Sequence, residues 1–365
     1  MMEHPILKSL DGKFRINVDT VEFSVSGVKI NVEEINQMMV LKPGGEMASL
    51  ITNRKAIRGR FKRHPLQIRY RETRGGISEP GMLFVEGSVF GFKYGQNVFT
   101  SSNLRAGCLY ALRCISRKVE LNASPETWSK WKAGEILLDR VDLAVNFDLG
   151  SDSVSTVVDR IAHQLIGKGT ASRHHTGSVC LAPRDSKEYS VAMYAKGAEM
   201  KLARRKATSD QNYDRLVGEC ENLLRVEVRL RKRELKRCGL SRVSDWTIEK
   251  ARDVFREYAS KFPMLDVVAA GPVGRKELNR LPPKLRDVFA LHKMGADLTV
   301  IYPPRTLATY RRKFAEIGID IKCQSIDNPP RNPALSFGPV KTPRWLIDAG
   351  MAPRRKRNRG ANVSS

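Results

Sequence analysis

The chain has 365 residues, 41% of them hydrophobic, with 64 Lys+Arg against 39 Asp+Glu and a formal net charge of +25. That apolar content excludes a disordered chain and predicts packed structure in two or three domains. A positive surplus this large costs self-repulsion and points to a polyanion, DNA or RNA before a membrane surface.

No apolar run approaches the roughly 20 residues of a membrane span, and the N-terminal "MMEHPILKSLDGKFRIN" has no signal-peptide apolar core. No GxxxxGK[ST] phosphate loop occurs, so no ATP use is expected. The chain is therefore read as cytoplasmic and free of membranes. Its six cysteines, Cys108, Cys114, Cys180, Cys220, Cys238 and Cys323, form no CxxC pair and read as free thiols.

In chain order, residues 14–24 and 82–93 are rich in Val, Phe and Ile and predict strands. Between them, positions 54–74 hold nine Lys/Arg and a single acid, Glu72, with Phe61 and Tyr70 interleaved. This stretch, with Arg58, Arg60 and Arg63, is a candidate contact surface for a DNA backbone. Residues 135–148, "EILLDRVDLAVNFD", predict a strand, and 152–169 a helix capped by Asp152 or Ser153, with an apolar stripe through Val154, Val157, Val158, Ile161 and Leu165. A hairpin is predicted over 177–182 and 187–196, turning at "PRDS", then a short helix and a strand over 222–231. After 240 the chain turns helical. Ser244 is a candidate cap for a helix carrying Ile248, Ala251, Phe255 and Tyr258; others span 283–294 and start at Pro303–Pro304. The last fifteen residues carry five basic groups and no acid and read as a disordered, DNA-touching tail. The expected domains are a β-containing basic region over 1–120, a catalytic domain over 121–240, a helical domain over 241–350 and the tail over 351–365.

Side chains alternate along a strand, so parity sorts them into faces. The odd positions of 136–148 are mostly apolar, while the even ones include Arg140, Asp142, Asn146 and Asp148. In 188–196 the even side carries Tyr194 and Lys196; in 222–231 the odd side carries Arg225, Glu227, Arg229 and Arg231. Three strands sharing a sheet would collect these polar faces. The groups suit one chemistry. A tyrosine oxygen can attack a phosphodiester and hold the 5′ phosphate covalently. Two carboxylates, Asp142 and Glu227, can hold Mg²⁺ or Mn²⁺. Lys196 beside the tyrosine offsets phenolate or phosphate charge, and the arginines hold the strand.

At these residues the sequence resembles the rolling-circle replication initiators of filamentous phages, the gene II protein family. "RVDLAVNF" (140–147), "YAKGAE" (194–199), "LLRVEVRLRKRELKRCGL" (223–240) and "GQNVF" (95–99) carry the likeness. It implies an α+β fold, with an antiparallel-rich central sheet covered by helices on one face and a helical C-terminal region. It implies Tyr194 as nicking nucleophile, Lys196 as its electrostatic partner, Asp142 and Glu227 as metal ligands and Glu199 as a further candidate. Lys232 and Arg233 fall in the basic segment after the last motif and join the DNA-contacting set. The implied activity is a site-specific nick in one strand of double-stranded phage DNA at the origin, whose 3′ hydroxyl primes synthesis, followed by rejoining of the displaced strand. Host helicase, DNA polymerase and single-strand binding protein would supply the rest, in the bacterial cytoplasm. A plasmid-borne initiator shares this chemistry.

His174 and His175 are adjacent, so they face opposite sides of a strand and cannot ligate one metal together. His163 reads as solvated and His292 as a core-edge residue. The competing reading is a non-enzymatic DNA- or RNA-binding regulator using the same basic surfaces, for which Tyr194 would be dispensable.

Overall fold

A computed structural model describes residues 14–30, 37–41, 47–72, 80–150, 154–155, 157–158, 171–172, 178–181, 186–204, 211–261, 281–293, 298–316, 321 and 338–354. The fold is α+β, as expected, and divides into two compact units. One takes in residues 16–143, 231–251 and 341–365; the other takes in 1–15, 144–230 and 252–340.

In the 16–143 unit, β1 (Ile16–Lys29), β2 (Gln37–Leu41), β3 (Met47–Thr52), β5 (Leu66–Arg71) and β6 (Gly81–Gly87) are ordered β2-β3-β5-β6-β1. The short β4 (Lys55–Ile57) joins the edge of β5, and β7 (Asn122–Ala123) that of β1. Alternation in β5 and β6 buries Leu66, Ile68, Tyr70, Leu83 and Val85 and turns Gln67, Arg69, Arg71, Met82, Phe84 and Glu86 outward. Helices α1 (Val89–Tyr94), α2 (Leu104–Lys118) and α3 (Pro125–Ala133) add to this core, with Val89, Phe90, Phe92, Leu112, Ile115 and Trp131 buried.

The strand expected over 82–93 stops at Gly87. Ser88 accepts from the Gly91 N–H at 3.1 Å and starts α1, and Gly95 closes it at φ +73°, a conformation that suits glycine. The strand expected over 14–24 runs on to Lys29.

After α1, "GQNVF" has a structural purpose. The Gln96 amide donates to the carbonyls of Phe99 (3.1 Å) and Met351 (2.7 Å), and its oxygen accepts from the Val98 (2.7 Å) and Phe99 (2.8 Å) N–H groups. Asn17 clamps the same loop, donating to the Val98 carbonyl and accepting from the Thr100 N–H. Gln96 is buried, so Gln96→Leu strands several backbone groups. We expect it to cost about 3–5 kcal/mol, read as a lowered urea midpoint.

Strand β8 (Leu137–Asp148) begins in this unit and ends in the other. In the 144–230 unit the sheet order is β8-β12-β11-β10-β9, with β9 (Ala171–Ser172), β10 (Ser178–Leu181), β11 (Tyr189–Ala195) and β12 (Leu223–Arg231). The predicted hairpin is β10 and β11, antiparallel; the first three residues of its expected turn "PRDS", 183–185, lie outside the described residues. So does most of the predicted 152–169 helix, of which Val154, Val157 and Val158 are helical and buried. Helices α4 (Lys196–Arg204) and α5 (Gln211–Glu219) lie between β11 and β12, and α6 (Lys232–Arg237) follows β12.

Helix α7 (Ile248–Ala259) buries Ala251, Phe255 and Tyr258 of the expected stripe, but Ile248, in its first turn, is 43% exposed and does not join the core. Its cap is Thr247, whose hydroxyl accepts from the Lys250 N–H at 3.0 Å; Ser244 sits in a preceding 3₁₀ turn. Farther on, α8 (Pro283–Lys293), α9 (Leu298–Ile301) and α10 (Pro304–Ala315) enclose a small core of Leu285, Val288, Phe289, Leu307, Tyr310 and Phe314. A short α11 (Arg344–Asp348) precedes Met351 and Ala352, which are buried, so the first residues of the tail expected over 351–365 are packed; residues 355–365 lie outside the described set.

Candidate active site

The polar residues of β11 and β12 meet as strand parity requires. Antiparallel register sets Tyr194 opposite Arg225 and Ala192 opposite Glu227. Tyr194 and Glu227 are therefore diagonal neighbours, a separation that a tyrosine can bridge. The Tyr194 hydroxyl donates to Glu227 Oε1 at 2.5 Å, and Arg225 Nε donates to the same oxygen at 2.7 Å. The far end of the guanidinium, Nη1, donates to Asn146 Oδ1 at 3.3 Å. All four side chains belong to the 144–230 unit.

This face is covered rather than solvated. Tyr194 and Glu227 are each 8% exposed, Asn146 6% and Arg225 0%. Arg225, expected among the strand-holding arginines, thus has no surface to offer a DNA phosphate. Its guanidinium instead fixes the Glu227 carboxylate. Asn146 completes the cluster; parity puts it on the polar face but assigns it no role.

Lys196 is not on the strand. β11 ends at Ala195 and Lys196 opens α4, where its Nζ bonds Glu199 Oε2 at 2.7 Å, an i,i+3 pair on one helix face. The lysine is 1% exposed, and its Nζ lies 5.9 Å from the Tyr194 ring centroid. The spacing of "YAKGAE" follows: tyrosine at the strand end, lysine at the helix start, glutamate one turn on. Gly197 makes the turn possible, because a Cβ there would meet Cys220 O and Glu221 Cα at 2.8 Å. Gly197→Ala should cost about 1–3 kcal/mol, measured as a lowered urea midpoint. The adjacent Cys220 thiol is pushed up to about 12 by burial, against the pull of Lys196 and Arg225, and so stays neutral. Five cysteines, Cys108, Cys114, Cys180, Cys220 and Cys238, are free thiols among the described residues.

Tyr189, the other tyrosine of β11, has opposite parity. Its ring packs edge-on against Tyr258 at 5.0 Å, with Lys261 Nζ 4.4 Å from its centroid.

The carboxylates differ in what they can offer a cation. Both bonds on Glu227 land on Oε1, which leaves Oε2 open. Asp142 belongs to the 16–143 unit and is held by Arg140 through two bonds, Nε to Oδ1 at 2.8 Å and Nη2 to Oδ2 at 2.6 Å, while Arg140 Nη1 also reaches Glu22 at 3.2 Å. Burial opposes the Arg140 charge, but these carboxylates outweigh it and raise the guanidinium above its ordinary value. Glu199 bonds Lys196 through Oε2 alone, which leaves its Oε1 unengaged. Among the described residues no three His, Cys, Asp or Glu side chains gather as a metal shell, so single carboxylate oxygens fit a divalent cation and a full shell does not. His174 and His175 lie outside the described residues.

The remaining basic candidates lie at or near the surface. Arg58 and Arg60 are exposed, Arg63 half-buried, and Arg60 lies over the Phe61 ring at 5.3 Å. Arg229 and Arg231 are half-buried and Arg233 is exposed, while Lys232 pairs with Asp139 at 2.7 Å.

The chain is thus an α+β protein with a buried Tyr–Glu–Arg cluster between adjacent antiparallel strands and a lysine at the helix start beside it. It belongs to the phage replication-associated protein family, whose N-terminal model matches residues 18–249, a span holding every one of these site residues. The likeness to the filamentous-phage gene II family is borne out. A curated relative, the Replication-associated protein of Enterobacteria phage I2-2, is 25% identical over 250 residues, 66% of this chain and 69% of the relative. A solved Rolling Circle Replication Initiator Protein from Geobacillus stearothermophilus aligns over 67% of this chain and 85% of its own at 14% identity and a TM-score of 0.29, too low to carry an argument.

Proposed function

We propose that this protein starts rolling-circle replication by nicking one strand of double-stranded phage DNA at the origin through a phosphotyrosine on Tyr194, and later rejoins the displaced strand. The observation that supports this most is the Tyr194 hydroxyl bonded to Glu227 Oε1 at 2.5 Å, inside the span that matches the replication-associated family. Glu227 is the proton acceptor. As Tyr194 Oη bonds to phosphorus, the hydroxyl proton passes to Oε1 and the bond from phosphorus to the 3′ oxygen breaks. The departing oxygen takes a proton from solvent and becomes the 3′ hydroxyl that primes synthesis. Rejoining reverses this: a 3′ hydroxyl attacks the phosphotyrosine, and Tyr194 leaves with a proton from Glu227. One phosphodiester replaces another, so the exchange is close to isoenergetic. Arg225 holds the carboxylate in place, and Lys196 offsets the negative charge that develops beside the ring.

Mg²⁺ or Mn²⁺ is the proposed cofactor, anchored at Glu227 Oε2; when bound it would offset phosphate charge. Glu199, bonded to Lys196 through Oε2 alone, is a further candidate ligand, whereas Asp142 becomes one only by giving up Arg140. Origin DNA is the substrate, and host helicase, polymerase and single-strand binding protein act with it in the bacterial cytoplasm. No helix among the described residues is long and apolar enough to cross a membrane.

The test is supercoiled DNA carrying the protein's own origin, incubated with Mg²⁺ or Mn²⁺. Nicked circles with protein attached after denaturation are expected; tight, salt-sensitive binding without nicks would favour the non-enzymatic regulator. Glu227→Gln should slow nicking by about 10²–10⁴-fold, because the amide accepts the hydrogen bond but not the proton. Electron paramagnetic resonance of bound Mn²⁺ reads the second role of Glu227 separately.

A further inference from the structure

We propose that the outward face of the 16–143 sheet is a binding platform for single-stranded DNA, with Phe84 stacking a base and Arg69 and Arg71 holding phosphates. The surface is distinct from the Tyr194 cluster, and the proposal stands without the nicking chemistry.

Three strands build it. Register sets Arg69 opposite Phe84 and Phe84 opposite Ser24, with Arg71, Met82 and Ser26 forming the next row. Serines on β1 put no bulk beside the ring. Phe84 and Met82 are half-buried on this face, and Arg69 and Arg71 are exposed. An outward phenylalanine on a sheet costs solvation unless something flat covers it. Here the cover is cationic: the guanidinium carbons of Arg69 and Arg71 lie 5.2 and 5.9 Å from the ring centroid.

Charge decides the partner. The acids of this face are already paired: Glu86 with Arg54 at 3.2 Å, Glu22 with Arg140 at 3.2 Å and Asp139 with Lys232 at 2.7 Å. Arg69 and Arg71 have no ion-pair partner among the described residues and form the surplus. A sheet face with one aromatic ring bracketed by two guanidinia suits unpaired bases on a charged backbone; paired bases in a duplex cannot reach the ring.

The test uses full-length protein and a fluorescent oligothymidylate, read by anisotropy across a salt series. Phe84→Leu, which keeps the apolar packing, should weaken single-strand binding about 5–100-fold. Arg69→Ala/Arg71→Ala should lower the salt slope by about 0.7 per lost phosphate contact. An oligonucleotide carrying 5-bromodeoxyuridine should photocrosslink to the β6 peptide. Tyr194→Phe should leave all three readouts unchanged, so loss of nicking and loss of this surface are separable. Unchanged affinity and slope in both variants with circular dichroism preserved, weakening confined to duplex DNA, or crosslinks mapping elsewhere would overturn the platform.

Discussion

Tyr194→Phe should remove the covalent protein–DNA adduct and lower origin nicking by at least about 10⁴-fold, since the variant lacks the hydroxyl oxygen proposed to form the phosphotyrosine bond. The fold should survive. Phenylalanine fills the same space between β11 and β12, and the change removes one hydrogen bond to a carboxylate that still has Arg225 at 2.7 Å, a loss of about 1–3 kcal/mol. Salt-dependent DNA binding should persist. Tyr189→Phe is the matched control: its ring packs on Tyr258 from the opposite face of the strand, so nicking should continue. Activity is read as nicked circles, adduct as a shifted band after denaturation, and stability as a urea midpoint.

Arg225→Met should lower stability by about 3–5 kcal/mol, because it leaves a carboxylate buried without its cation. Glu227 would keep only the tyrosine hydroxyl, and Asn146 Oδ1 would lose its bond from the guanidinium. The double variant Arg225→Met/Glu227→Leu removes both charges, and apolar side chains of similar volume can occupy the space. It should therefore recover much of the loss in urea unfolding while remaining inactive. A double variant less stable than Arg225→Met would mean that the pair contributes more than the cost of burying it.

Strand parity made the core of the site legible before any coordinates. β11 and β12 alternate cleanly, so Tyr194, Arg225 and Glu227 had to share a face, and one antiparallel pairing brought them into contact. Parity names faces but not what covers them, which is why Arg225 was expected at the DNA surface and lies fully buried. The change from strand to helix at Lys196 was missed because "AKGAEMK" continues the alternation for two residues; the sign was Gly197, whose need appears only once Cys220 and Glu221 are packed against it. Helix α1 was hidden by Val89, Phe90 and Phe92, which read as a strand, although Ser88 and Gly95 are ordinary helix caps. The Asp142–Arg140 pair was beyond reach for another reason. Two residues on one strand face can bond each other as readily as a metal, and only geometry separates the outcomes. By contrast, Ala251, Phe255 and Tyr258 of α7 are readable because a helix burying one face in a core imposes its period on the sequence.

The proposed covalent joining of Tyr194 to DNA is open to direct observation. The most direct measurement is mass spectrometry of the denatured adduct after nuclease and protease digestion. A nucleotide joined through a 5′ phosphate to Tyr194, separated from Tyr189 by fragmentation of the peptide containing "SVAMYAK", is the expected result. A nucleotide on any other residue, or nicked circles carrying no protein at all, would contradict it.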